Sequence, residues 1–141
     1  MTRDLTRDEA VAFLSHGTRT GKLATAGRSG PSVVPIWFVV DGDDLVFNTG
    51  PESAKARRLR AEPRAAICVD EEAFPYAYVL VRGPVTLSER APDLLEWATR
   101  IARRYVPAER AEEFGRRNAA PDELLVRLRM ERVVAHAGIA D

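Results

Sequence analysis

A mainly β domain with added helices, closing as an antiparallel barrel or sandwich, is the fold class this sequence predicts. Three observations predict it. Runs rich in Val, Ile, Leu and aromatic residues recur between positions 19 and 88, each cut by Gly, Pro or Asp turn signals. Until late in the chain these runs follow one another too closely for the helical crossovers that parallel strands need. Apolar residues make up 45% and charged residues 30% of 141 positions, the balance of one soluble globular domain with a sizeable core.

"LTRDEAVAFLSHG" (5–17) opens the chain as a helix. Thr6 and Glu9 have capping-box spacing, Ala10, Phe13 and Leu14 form an apolar stripe, and Gly17 is a stop signal. Strands over about 19–26 and 31–41 flank the "GRSG" turn, and "DGDD" turns the chain into a strand at 44–49. A short helix follows at 53–61, capped by Ser53 and ended by Pro63. "RAAICVD" (64–70) reads as a strand, "EEAFP" as a loop, and 76–88 as a long strand that Gly83-Pro84 bends. The main helix is "PDLLEWATRIARRYV", with Leu94, Leu95, Trp97, Ala98, Ile101, Ala102 and Tyr105 at helical spacing, and "AERAEEFGRRN" is a second helical piece. "ELLVRLRMERVVAHAG" alternates as one strand, which makes six strands in a single domain over 1–141.

Net charge is zero, with 21 basic and 21 acidic residues, so no global basic field points to nucleic acid. The single cysteine, Cys68, excludes an internal disulfide and lies in "AAICV", where a small buried hydrophobe is the ordinary role. The polar start "MTRDLTRDEA" lacks a signal-peptide core and no apolar run is long enough for a membrane span, so a cytoplasmic location is expected. His16 and His136 are the only histidines, no metal-ligand spacing occurs, and hydrolase signatures are missing. An enzyme of this composition would let a cofactor do the chemistry and would hold it.

The chemistry-bearing segment is "SAKARRLRAEPR" (53–64), where Lys55, Arg57, Arg58, Arg60 and Arg64 stand against Glu62. Arginine outnumbers lysine nineteen to two, yet one of the two lysines sits in this helix's first turn. A helix start offers unpaired N–H groups and partial positive charge, and Ser53 and Lys55 add a hydroxyl and a full charge, a set that suits a phosphate. The local pattern fits a capped, solvated basic helix equally well. The aromatics Trp37, Phe38, Phe47, Phe74, Tyr76 and Tyr78 fit a barrel core or a flat-ring pocket.

The order of these segments resembles the pyridoxamine-phosphate-oxidase-like superfamily of flavin and deazaflavin proteins. The matching pieces are Leu23-Ala24-Thr25, Gly30-Pro31, Pro35-Ile36-Trp37-Phe38, Thr49-Gly50, Ser53-Ala54-Lys55, Leu59 and Pro63-Arg64-Ala65, followed by "VRGPVTL" and "MERVVAHAG". The resemblance implies a six-stranded antiparallel split β-barrel that forms a homodimer with cofactor sites at the subunit interface. It implies that Lys55 holds a cofactor phosphate with Ser53, Ala54 and Arg58. Val33, Val34, Pro35, Ile36, Trp37 and Phe38 would run along the ring, Asn48 and Thr49 would touch the phosphate-bearing chain, and Tyr76 and Tyr78 would contact the cofactor.

Short relatives of this kind use the deazaflavin F420, others FMN. The oligoglutamate tail of F420 suits the spare Arg57, Arg58 and Arg60. The chain closes on "VVAHAGIAD", without the Arg and Trp motif of pyridoxamine-phosphate oxidases, so that oxidation is not the expected reaction. The expected activity is F420-dependent hydride transfer to or from a small planar electron-poor substrate. An FMN-dependent oxidoreductase and a non-catalytic flavin- or F420-binding protein are the alternatives.

Overall fold

The computed structural model describes residues 1–141. Nine strands join in one curled antiparallel sheet: β1 (Arg3–Asp4), β2 (Gly21–Thr25), β3 (Ser32–Ile36), β4 (Val39–Asp41), β5 (Asp44–Thr49), β6 (Arg64–Glu71), β7 (Ala77–Ser88), β8 (Leu124–Arg129) and β9 (Arg132–Ala137). The hydrogen-bonded path runs β3-β2-β6-β7-β8-β5-β4, with β9 beside β7 and β1 beside β9. The helices are α1 (Arg7–Ser15), α2 (Ala54–Ala61), α3 (Leu94–Tyr105) and α4 (Ala111–Asn118). None is long and apolar enough to cross a membrane.

Six strands are expected and nine occur, for three local reasons. The two-residue β1 has no apolar pattern of its own and exists because the chain start pairs with β9, Asp4 opposite His136. The 31–41 run divides at Trp37-Phe38, since β3 pairs with β2 and β4 pairs with β5. The last run divides at Met130-Glu131. Val85 of β7 lies opposite Leu128 but Arg82 lies opposite Arg132, so three steps along β7 meet four along the partner. One extra residue is a bulge, and it turns β8 away toward β5.

Gly83 sits under that bulge. A Cβ there would lie 1.9 Å from the carbonyl oxygen of Arg129, which is backbone and cannot yield. Pro84 follows, and from Val85 onward β7 exchanges its β6 and β9 neighbours for β8. The expected bend is therefore the place where the sheet folds over on itself.

The core fills the inside of the curl. Leu23, Ile67, Val69, Val79 and Val81 alternate inward from β2, β6 and β7, and Leu45, Phe47, Val126 and Leu128 from β5 and β8. Ala10 and Leu14 of α1 and Ala56 and Leu59 of α2 plug it. Each fully buried Leu or Phe contributes about 1.5–3 kcal/mol. The Thr6–Glu9 capping box forms as expected. Cys68 departs from its expected place. It lies half-buried on the outer sheet face, between Lys22 of β2 and Leu80 of β7, because its neighbours Ile67 and Val69 take the inward positions.

Gly83→Ala is expected to cost about 3 kcal/mol through overpacking against backbone, read as a lowered urea midpoint with an unchanged slope. A midpoint equal to that of the parent would show that the crossing is looser than its geometry.

Candidate functional site

A cleft of about 260 Å³ opens where β3, β5, α2, α3 and the approach to β8 converge. Its walls are Pro35, Ile36, Trp37, Asn48, Lys55, Ile101, Asn118 and Glu123. Five of these are residues that the sequence marks as site candidates, and they come from three separate segments.

Each wall has a structural cause. Trp37 stands between the two sheet edges, stacked on Tyr105 of α3 with ring centroids 5.2 Å apart and planes 7° from parallel. The Tyr105 hydroxyl accepts from the Phe38 amide (3.3 Å) and donates to the Arg19 carbonyl (2.9 Å). Arg104 donates to the carbonyls of Leu14, Gly17 and Phe38. The indole is thus held flat at the mouth while the next residue is buried in the core.

Lys55 reaches the cleft from the first turn of α2. Ser53 is the N-cap, and its hydroxyl accepts from the Ala56 amide (3.1 Å) and lies 2.9 Å from the Thr49 hydroxyl. The amides of Ala54 and Lys55 have no partner, so the first turn keeps two free donors beside the Lys55 ammonium. Thr49 is buried and locks the cap to the end of β5. This arrangement can hold an anionic group, and a phosphate fits its donors.

Asn48 and Glu123 complete the polar wall. The Asn48 amide donates to the Asn118 carbonyl and to the Glu123 carboxylate, both at 3.0 Å. Burial pushes the Glu123 carboxyl above its ordinary value and Asp122 adds to this, while the Asn48 hydrogen bond and the Lys55 charge pull it back. Asn118 and Glu123 carry no local motif, and Ile101 and Tyr105 read in sequence only as the apolar stripe of a helix. They are found only because α3, α4 and the turn before β8 fold over the end of β5.

The other expected site residues lie elsewhere. Val34 packs against the core and Phe38 belongs to it, while Val33 is exposed on the outer sheet face. Arg58 points away from the cleft and binds the β2–β3 hairpin through Thr25, Ser29 and the Gly30 carbonyl. Arg57 and Arg60 fold back onto the Glu52 and Pro51 carbonyls. Tyr76 and Tyr78 line a separate recess with Lys22, Cys68, Asp70 and Ile139, one strand away from the cleft, since Lys22 lies opposite Pro35. Beyond the recess the outer sheet face is largely apolar. Ala24 lies across from Val33 and Ala66, and Leu80 lies across from Cys68 and Val134.

A curled antiparallel sheet that closes only in part, with a capped helix beside its split edge, defines a split-barrel fold. The chain belongs to the pyridoxamine 5'-phosphate oxidase family, whose model matches residues 6–137. It is similar to a pyridoxine/pyridoxamine 5'-phosphate oxidase of Anaeromyxobacter dehalogenans, 39% identical over 79 residues, or 55% of this chain. That match spans 39% of the Anaeromyxobacter enzyme. The fold is shared with a conserved hypothetical protein of Mycobacterium tuberculosis, with a TM-score of 0.80 and 21% identity over 95% of this chain and 86% of that one. It is also shared with an F420 reductase, with a TM-score of 0.69 and 26% identity over 86% of this chain and 93% of that one.

Glu123→Gln tests the electrostatics of the wall without any ligand. A carboxyl whose folded pKa is raised weakens the fold once pH exceeds that pKa, and weakens it not at all below the unfolded value of about 4.3. The variant should therefore melt higher than the parent at pH 7 and equally at pH 3.5. An equal or lower melting temperature at pH 7 would contradict the upward shift.

Proposed function

We propose that this chain is an F420-dependent oxidoreductase, transferring a hydride between the deazaflavin and a small planar electron-poor substrate. The observation that carries the reading is the meeting of Lys55, from a helix start with free amides, and the Pro35–Trp37 wall at one cleft. A phosphate and a flat ring joined by a short chain need such a pairing of donors and planar surface. The F420 reductase of similar fold supports the choice of deazaflavin. FMN has the same two parts and is the competing ligand.

When bound, F420 supplies the hydride at C5 of its ring. The chain's own residues orient and shield. Lys55 and the two amides would hold the phosphate, and the segment from Val33 to Phe38 would flank the ring, with Pro35, Ile36 and Trp37 lining the cleft. Asn48 and Thr49 fix the seat against β5. Arg57 and Arg60, at the solvent edge of α2, would turn from the Glu52 and Pro51 carbonyls to meet the anionic tail, and Arg58 shapes the β2–β3 hairpin. Catalysis is then chiefly orientation.

The unit of function we propose is a homodimer with a cofactor site at each end of the subunit interface. The apolar outer face around Ala66, Leu80 and Val134 is the surface that would be covered, and its burial would bring Tyr76 and Tyr78 of one protomer onto the ring held by the other. The proposed partners are this second copy and a small-molecule substrate, with neither nucleic acid nor membrane involved.

Titration with F420 and with FMN tests the reading, and lack of binding by both would overturn it. Lys55→Ala should weaken either phosphorylated cofactor by about tenfold to a hundredfold, the equivalent of one charge-assisted contact, with the melting temperature retained. Unchanged affinity would move the seat elsewhere. Leu80→Asp should convert a dimer to a monomer in light scattering and weaken F420 binding with it. A parent protein that is already monomeric would remove the interface proposal.

A further inference from the structure

Glu123 is at odds with a seat for an anion. It lines the same cleft as Lys55, and neither residue forms a salt bridge. The carboxylate is held in place. One oxygen accepts from Asn48, whose second amide hydrogen is taken by the Asn118 carbonyl at the end of α4. The other oxygen has no partner and faces the turn at Gly50, where a Cβ would lie 3.9 Å from it. That turn leads directly into the free amides of α2. A group bound at Lys55 would therefore lie in the field of a fixed negative charge as well as a positive one, with Asp122 adjacent in sequence.

We infer that Glu123 is a charge filter on the phosphate seat, favouring a singly charged phosphodiester such as that of F420 over the doubly charged phosphomonoester of FMN. The inference rests on the cleft being the phosphate seat of the proposed cofactor site. A phosphomonoester loses its second proton near pH 6 and is mainly a dianion at pH 7.5. A phosphodiester has no second proton to lose. Coulomb energy is linear in ligand charge, so the repulsion from Glu123 on FMN is twice that on F420 at the same position. Lys55 attracts both ligands, but the carboxylate lowers the advantage that the second charge would otherwise bring.

The test is a fluorescence titration of the full chain at pH 7.5 with F420, FMN and riboflavin, for the parent, Glu123→Gln and Glu123→Asp. Glutamine keeps the oxygen that accepts from Asn48 and replaces the charged carboxylate with a neutral amide. The expected result for Glu123→Gln is tightening of about threefold for F420 and about tenfold for FMN, with riboflavin unchanged because it has no phosphate. Glu123→Asp keeps the charge and should keep the parental ratio of F420 to FMN affinity. A ratio in Glu123→Gln within twofold of the parent, or a gain for riboflavin equal to that for FMN, overturns the filter while leaving the cofactor site standing. Failure of both F420 and FMN to bind either the parent or Glu123→Gln overturns the cofactor site and the filter together.

Discussion

Two residues, Trp37 and Phe38, join the opposite edges of the sheet. β3 ends the hydrogen-bonded path on one side and β4 ends it on the other, yet they are consecutive in the chain. The curl therefore closes through covalent backbone and not through a ladder, and its shape depends on where residue 38 is held. Arg104 and Tyr105 hold it, binding its carbonyl and amide and at the same time the backbone of Leu14, Gly17 and Arg19. Burial of the Tyr105 hydroxyl pushes its pKa up, which keeps it a neutral donor and acceptor. One turn of α3 thus ties α1, the start of β2 and the split edge together.

The cleft inherits its form from that clamp. Trp37 faces out because Phe38 faces in, and the stack on Tyr105 sets the plane of the wall. Across the gap, Thr49 and Ser53 anchor α2 to the end of β5, which sets the distance between Lys55 and the wall. Arg58, on the far side of the same helix, fastens it to the β2–β3 hairpin. Basic residues that look alike in sequence therefore divide their tasks. Arg58 is structural, Arg57 and Arg60 line the solvent edge, and Lys55 alone enters the cleft.

Much of the fold is legible in the residues themselves. The capping box at Thr6 and Glu9, the Ser53 cap, the strand at 44–49 and the bend at Gly83-Pro84 all arise from local chemistry, and all appear where the sequence places them. The strand breaks at 37–38 and 130–131 are not legible, because an alternating pattern does not reveal a change of neighbour. A one-residue slip between β7 and β9 leaves no signature in "ELLVRLRMERVVAHAG". Cys68 was similarly unreadable: "AAICV" is apolar on both faces, so alternation could not say which face is inward.

By itself the sequence determined the fold class, the order of its elements and a Ser53-capped helix with Lys55 in its first turn, beside an aromatic strand end. Each of these depends on neighbours within a few positions, where spacing and capping act directly. Only the tertiary structure decided which basic residues face the cleft, that Tyr76 and Tyr78 lie in a different recess, and that Glu123 stands opposite Lys55. Those are contacts across 28 to 75 positions of chain, set by how a curled sheet brings its edges together, and no local pattern encodes them.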